Sequence, residues 1–303
     1  MNELSRASSL EGVRVLAVHA HPDDEVLFTG GTIAALRARG AQVAVLTTTL
    51  GEEGDVIGEP FSGLTGTDLL GGFRLRELQD SLRILEATGF QLGGVGYFRD
   101  SGMAGSPAHS NPHALVNRVD EAAEHIARFL EIYAPDAVLT YGPDGGYGHP
   151  DHIAVHQATH LACADKGISN IWWAVYHRAS LYRALDTITP AAGWQKPSRA
   201  YADNFTNAAC DLVIDLDDHA LRTKIDAMRV HATQIWLGDG STTPTNPESA
   251  YAVCTDPALS PVAFALSNRL VMPVLRQEYF LRASSSKPLA ADGDALDHLV
   301  RGV

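Results

Sequence analysis

Arg14-Val15-Leu16-Ala17-Val18-His19-Ala20, running directly into His21-Pro22-Asp23-Asp24-Glu25, is the stretch on which the fold turns. Its apolar run is short and carries β-branched residues, the signature of a strand buried on both faces of a parallel sheet. Downstream, residues 25–39 read as a helix with Val26, Ile33 and Leu36 on its apolar side and Gly40 as its stop. Residues 42–48 read as a second strand. Residues 74–88 read as a helix striped by Leu75, Leu78, Leu82 and Leu85, ended by Gly89. Asn111-Pro112 reads as an N-cap and first helical residue, leading a helix with Leu115, Val119, Ala122, Ile126, Phe129 and Tyr133 on one face. Strands at 137–140 and 171–176 complete the alternation.

Strands and helices joined by short connections give an α/β class: a Rossmann-like, mostly parallel sheet with helices on both faces. Residues 1–176 form the part that carries the chemistry, and 177–303 a C-terminal elaboration completing the pocket within one integrated domain. In the latter part, 212–216 reads as a strand, Asp217 or Asp218 caps a helix bearing Leu221, Ile225 and Met228, and 238–261 reads as a long surface loop.

With 303 residues, 45% of them hydrophobic and 19% charged, the chain has the balance of a folded protein. Its 23 Lys+Arg against 36 Asp+Glu give a net charge of −13, which argues against a nucleic-acid partner because no basic field exists to displace counterions. No run approaches the roughly 20 apolar residues of a membrane span, and the polar start Met1-Asn2-Glu3-Leu4 lacks the apolar centre of a secretory signal. Cys163, Cys210 and Cys254 are far apart and odd in number, which suits a reducing compartment. A cytoplasmic protein is expected, with neither nucleic acid nor membrane as partner.

The chemistry sits at two strand ends. The first strand runs into His21-Pro22-Asp23-Asp24, and the 137–140 strand into Tyr141-Gly142-Pro143-Asp144-Gly145-Gly146-Tyr147-Gly148-His149-Pro150-Asp151-His152. Ligands of α/β sheets bind beyond the carboxyl ends of the strands. Imidazole and carboxylate from both loops suit a divalent ion: zinc, with iron or another first-row metal as alternatives. A catalytic zinc takes three protein ligands and keeps one position open; His21, Asp24 and His152 are the candidates. Asp23 is then free to take a proton from water. His149 and Tyr147 remain to protonate a leaving group or stabilise an oxyanion, and Asp151 to orient His149. Any one of these residues alone reads as a hydrogen-bonded cap; two His/Asp clusters at corresponding strand ends read as a site. His19, within the strand, reads as structural or supporting. A dinucleotide site is disfavoured, since no G-x-G-x-x-G follows the first strand and Gly94-Val95-Gly96 meets Arg99 where a third glycine would stand.

HAHPDDE at 19–25 together with GHPDH at 148–152 resembles the zinc-dependent PIG-L/LmbE-like deacetylases, which remove acetyl groups from N-acetylglucosamine-containing molecules. The resemblance implies metal binding by His21, Asp24 and His152, Asp23 as general base, and His149 as acid or electrostatic stabiliser at the amide. Further segments, TLGEEGDVIG at 49–58, GGFR at 71–74, RDSGMAG at 99–105, HATQ at 231–234 and LSN at 266–268, are similar to the branch of that family acting on N-acetylglucosaminyl-inositol. They imply a small pseudo-disaccharide substrate, with Arg74, Asp100 and Asn268 on its hydroxyls and Tyr147 on the tetrahedral intermediate. An amidase of thiol conjugates built on the same motifs is the nearest rival. A sugar-binding module without activity is another, though it predicts loss of a ligand or base, and all are present.

Overall fold

In the computed structural model, which describes residues 8–283 and 293–302, five strands run parallel: β1 (Arg14–His19), β2 (Gln42–Thr47), β3 (Thr88–Gln91), β4 (Ala137–Thr140) and β5 (Ile171–His177). Their spatial order is β3-β2-β1-β4-β5. The chain therefore leaves β1 for a neighbour on one side and returns to β4 on the other, so the crevice between the carboxyl ends of β1 and β4 is the topological switch point. Val15–Val18 and all of β4 are buried, as strands covered on both faces require. The polar start of the chain, 1–7, lies outside the described residues.

The later half adds to the same sheet. Strand Gln277–Arg282 pairs antiparallel with β5, and Leu212–Asp215 pairs antiparallel with it in turn. The helices are α1 (Asp24–Phe28), α2 (Gly30–Ala38), α3 (Leu69–Ile84), α4 (Val119–Tyr133), the single turn α5 (Gly145–Gly148) and α6 (Pro150–Lys166), followed by others that include Asp218–Val230. α4 packs against α6, while α2 and α3 pack against Asp218–Val230. One apolar core joins residues from Leu10 to Val300. No described helix is long and apolar enough to cross a membrane.

Three boundaries differ from the sequence expectation, each for a local reason. The helix expected over 25–39 is two: Thr29 (φ −133°, ψ 2°) breaks it, its hydroxyl donating to the Glu25 carbonyl. The leucine-striped helix starts at Leu69 and stops at Ile84, and Thr88–Gln91, which includes Gly89, is the edge strand β3. Asn111 does not cap α4; it holds a turn through its side chain to the His113 amide, and α4 begins after Arg118. Asp217 caps the helix Asp218–Val230 as expected, accepting from the Ala220 amide at 2.7 Å. The loop expected over 238–261 contains one short strand, Val253–Cys254, paired with Ile188–Thr189.

Candidate active site

β1 and β4 lie side by side, so the loops that follow them meet. His21 and Asp24 come from the first loop, and His152 from the first turns of α6. All three are buried. His21 Nδ1 lies 3.3 Å from His152 Nε2, and Asp24 Oδ2 lies 3.4 Å from both nitrogens. Donors at the corners of a tetrahedron, each about 2.0–2.1 Å from a zinc-sized ion, stand about 3.3–3.4 Å apart. The triangle has that size without adjustment. The donor set also fits by charge: Asp24, Asp100 and Asp151 all lie within 3.5 Å of the His21 imidazole, a concentration of carboxylate that a divalent cation offsets.

The supporting contacts fix which atom of each ligand faces inward. His21 Nε2 points away from the triangle to Asp151 Oδ2 at 3.3 Å and Asp100 Oδ1 at 3.5 Å, leaving Nδ1 free for an ion. His152 Nδ1 faces the Gly145 carbonyl at 3.1 Å, leaving Nε2. That approach needs glycine: Gly145 has φ 65°, and a Cβ there would stand 2.9 Å from His152 Cβ. Asp24 Oδ2 accepts from the Tyr141 hydroxyl at 2.7 Å and the His21 amide at 2.8 Å. Tyr141, which the sequence reading passed over, also stacks its ring on His152 at 4.2 Å and 13°. It thus touches two members of the triangle.

Asp23 stands beside the triangle with φ 111°, a region that side-chain-bearing residues rarely adopt. Burial pushes its carboxyl up to about 7; the Arg74 guanidinium pulls it down and Asp24 pushes it up. Arg74 Nη2 lies 3.2 Å from Asp23 Oδ2. Arg74, expected from the sequence to bind substrate, lines the cavity and also donates to the Pro22 and Gly51 carbonyls, both at 2.6 Å.

His149 caps α6, its Nδ1 accepting from the Asp151 amide at 3.1 Å. Burial, with His21 and His152 close by, lowers its pKa to about 2. A neutral ring that accepts at Nδ1 carries its proton on Nε2. Asp151, expected to orient His149 through its side chain, turns that side chain to His21 and the Ser101 amide (2.9 Å) instead. Asp100 accepts from the Gly102 amide at 2.8 Å and the Glu53 amide at 3.1 Å. Burial pushes its carboxyl up, but the His21 imidazole, the Gly102 amide and His149 outweigh it and hold the group well below the usual range. Tyr147 lies with its ring 4.9 Å from that of His152 and remains 43% exposed. Asn268 sits exposed at the rim, its Oδ1 on the Leu270 amide. His19 is buried on Thr29 at 3.0 Å, away from the triangle.

Several of these groups line one cavity of about 400 Å³, while His19, Tyr141, Asp151 and His152 lie behind its surface. His21, Asp23, Asp24, Arg74, Asp100 and His149 form its polar floor; Leu27, Phe28, Phe264, Leu266, Leu270 and Met272 give an apolar wall; Tyr147 and Asn268 are also among the lining residues.

Residues 16–163 match the family model described as PIG-L, GlcNAc-PI de-N-acetylase. The chain is 48% identical over 297 residues to a 1D-myo-inositol 2-acetamido-2-deoxy-alpha-D-glucopyranoside deacetylase of Corynebacterium efficiens, covering 95% of this chain and 94% of that one. It is 37% identical to the protein of the same name from Rhodococcus erythropolis, covering 94% and 96% of the two chains. A crystallised deacetylase of the teicoplanin biosynthesis pathway shares the fold at TM-score 0.50 and 22% identity, over 73% of this chain and 84% of that chain. With a de-N-acetylase family model matched across both strand-end loops and relatives alike over nearly the whole length, the chain belongs to the PIG-L family of deacetylases.

Proposed function

We propose that this chain hydrolyses the acetamide of 1-O-(2-acetamido-2-deoxy-α-D-glucopyranosyl)-1D-myo-inositol to acetate and the free glucosaminyl-inositol, a step of mycothiol biosynthesis. It uses one divalent ion, zinc or iron, held by His21, Asp24 and His152. The observation that carries the reading is the 3.3–3.4 Å donor triangle, two of whose members, His21 and Asp24, line the same cavity as Asp23. The relatives named above support the substrate.

When bound, such an ion polarises the acetamide carbonyl and makes a nearby water acidic enough to attack near neutral pH. Asp23 takes the proton of the attacking water, its carboxyl poised at about 7. Arg74 keeps that carboxylate turned to the cavity. His149 donates from Nε2 to the carbonyl oxygen as charge develops, a role supported by its Nδ1 being taken up by the Asp151 amide. Tyr147, which lines the same cavity, donates to the same oxygen. Asp23 then returns its proton to the departing amine. Asp100 and Asn268 serve the sugar and inositol hydroxyls, which asks for neutral and carboxylate groups rather than a cationic pocket.

The test is amine release from N-acetylglucosaminyl-inositol by protein loaded with zinc or iron. Asp23→Ala is expected to lower turnover about 100-fold or more while metal content stays near one ion per chain. Release confined to bulky thiol-conjugate amides, or turnover indifferent to Asp23, would overturn the reading.

A further inference from the structure

Asp23 holds φ 111°, a backbone conformation strained for a residue with a side chain, and its peptide is gripped from both ends. The Pro22 carbonyl accepts from Arg74 Nη2 at 2.6 Å, and the Asp23 amide donates to Glu25 Oε2 at 2.9 Å. These are the two polar ends of a single peptide plane, and the tilt of that plane sets φ of Asp23. Glu25 is wholly buried, and its other oxygen, Oε1, is held by Ser81 Oγ at 2.6 Å and His231 Nε2 at 2.6 Å. Ser81 belongs to α3, and His231 ends the helix Asp218–Val230. Neither reaches the cavity, and His231 Nδ1 has no partner among the described residues. A buried carboxylate with three donors on it is an immobile fixture.

We infer that Glu25, locked by His231 and Ser81, is a positioning residue that works through Asp23: with Arg74 it clamps the Pro22–Asp23 peptide and so aims the Asp23 carboxylate. The inference rests on Asp23 being the proton acceptor proposed above. The C-terminal part thereby contributes to the chemistry from behind the cavity. A carboxylate misplaced by about 1 Å can cost about 100-fold in rate.

The experiment is a double-mutant cycle on the metal-loaded enzyme, reading kcat, KM and metal content. Glu25→Ala is expected to lower kcat about 10- to 100-fold with KM within about twofold and metal content unchanged. Glu25→Gln, whose amide oxygen still accepts from the Asp23 amide, recovers most of the rate. In the Asp23→Ala background Glu25→Ala costs nothing further, because nothing remains to be aimed. Should Glu25→Ala not fold, His231→Gln runs the same cycle with a smaller first drop. Glu25→Ala at wild-type kcat, or a further tenfold loss on top of Asp23→Ala, overturns the inference while leaving Asp23 as base. An Asp23→Ala enzyme with wild-type turnover overturns the assignment of Asp23 itself, and the inference with it.

Discussion

Replacing Asp23 by glycine and, separately, by alanine separates what this residue does for the reaction from what it costs the fold. Both substitutions delete the carboxylate and its 3.2 Å pairing with Arg74, so that loss cancels between them. They differ in the Cβ carried at φ 111°. Relief of a strained backbone is worth on the order of 1–3 kcal/mol, and the extra freedom of glycine in the unfolded chain takes back about 0.4–1 kcal/mol. The glycine protein is therefore expected to be more stable than the alanine protein by about 1 kcal/mol, and both to be equally inactive. For a chain of this size that is a shift of about 2 °C in Tm. Urea and thermal unfolding of chelator-treated proteins measure it. An alanine protein as stable as the glycine protein would show that the Pro22–Asp23 peptide is free to relax and that the clamp on it does not hold.

Other consequences follow from single contacts. Tyr141→Phe keeps the ring stacked on His152 but removes the hydroxyl from Asp24; ion affinity by chelator competition should fall about 10- to 100-fold, and unchanged affinity refutes the role. His160 accepts from Trp173 Nε1 at 2.9 Å, and burial, then His156, lowers its pKa from 6.5 to about 4. The unfolded chain takes up this proton first, so its contribution is complete above about pH 6.5 and is lost as the pH falls toward 4. Urea titrations followed by tryptophan fluorescence should lose that part of the acid sensitivity in His160→Gln; an identical pH profile counts against it. Lys224 Nζ lies 2.6 Å from Glu278 Oε1 with both side chains buried. Lys224→Met leaves that carboxylate only the Gly31 and Thr32 amides and should cost about 3 kcal/mol of stability; a loss below about 1 kcal/mol would mean the two amides suffice.

What the sequence reveals and what it conceals have physical causes. β1 and β4 are legible because a strand covered on both faces must be apolar throughout, and their neighbouring ends make the two His/Asp loops recognisable as one site. β3 is not legible: Thr88-Gly89-Phe90-Gln91 is a short edge strand whose first three residues are exposed, with no alternation to read. Asp151 looks like a partner for His149, its neighbour in sequence. The first turn of α6 instead spends only the Asp151 backbone on His149 and turns the carboxylate across to His21 in the loop after β1. Glu25 reads as an ordinary helix-start acid, yet its partners lie 56 and 206 residues away, beyond any local pattern. Tyr141 hid among loop residues because its significance comes from stacking on a side chain eleven positions later.

The central claim is that His21 Nδ1, His152 Nε2 and Asp24 share one ion. Anomalous diffraction from crystals of the zinc-loaded protein tests it most directly. The account predicts a single peak about 2.0–2.2 Å from these three donors, with His21 Nε2 still on Asp151. A peak held by His149 with His21 and His152, or one on the far side of His21 between Asp100 and Asp151, would contradict it.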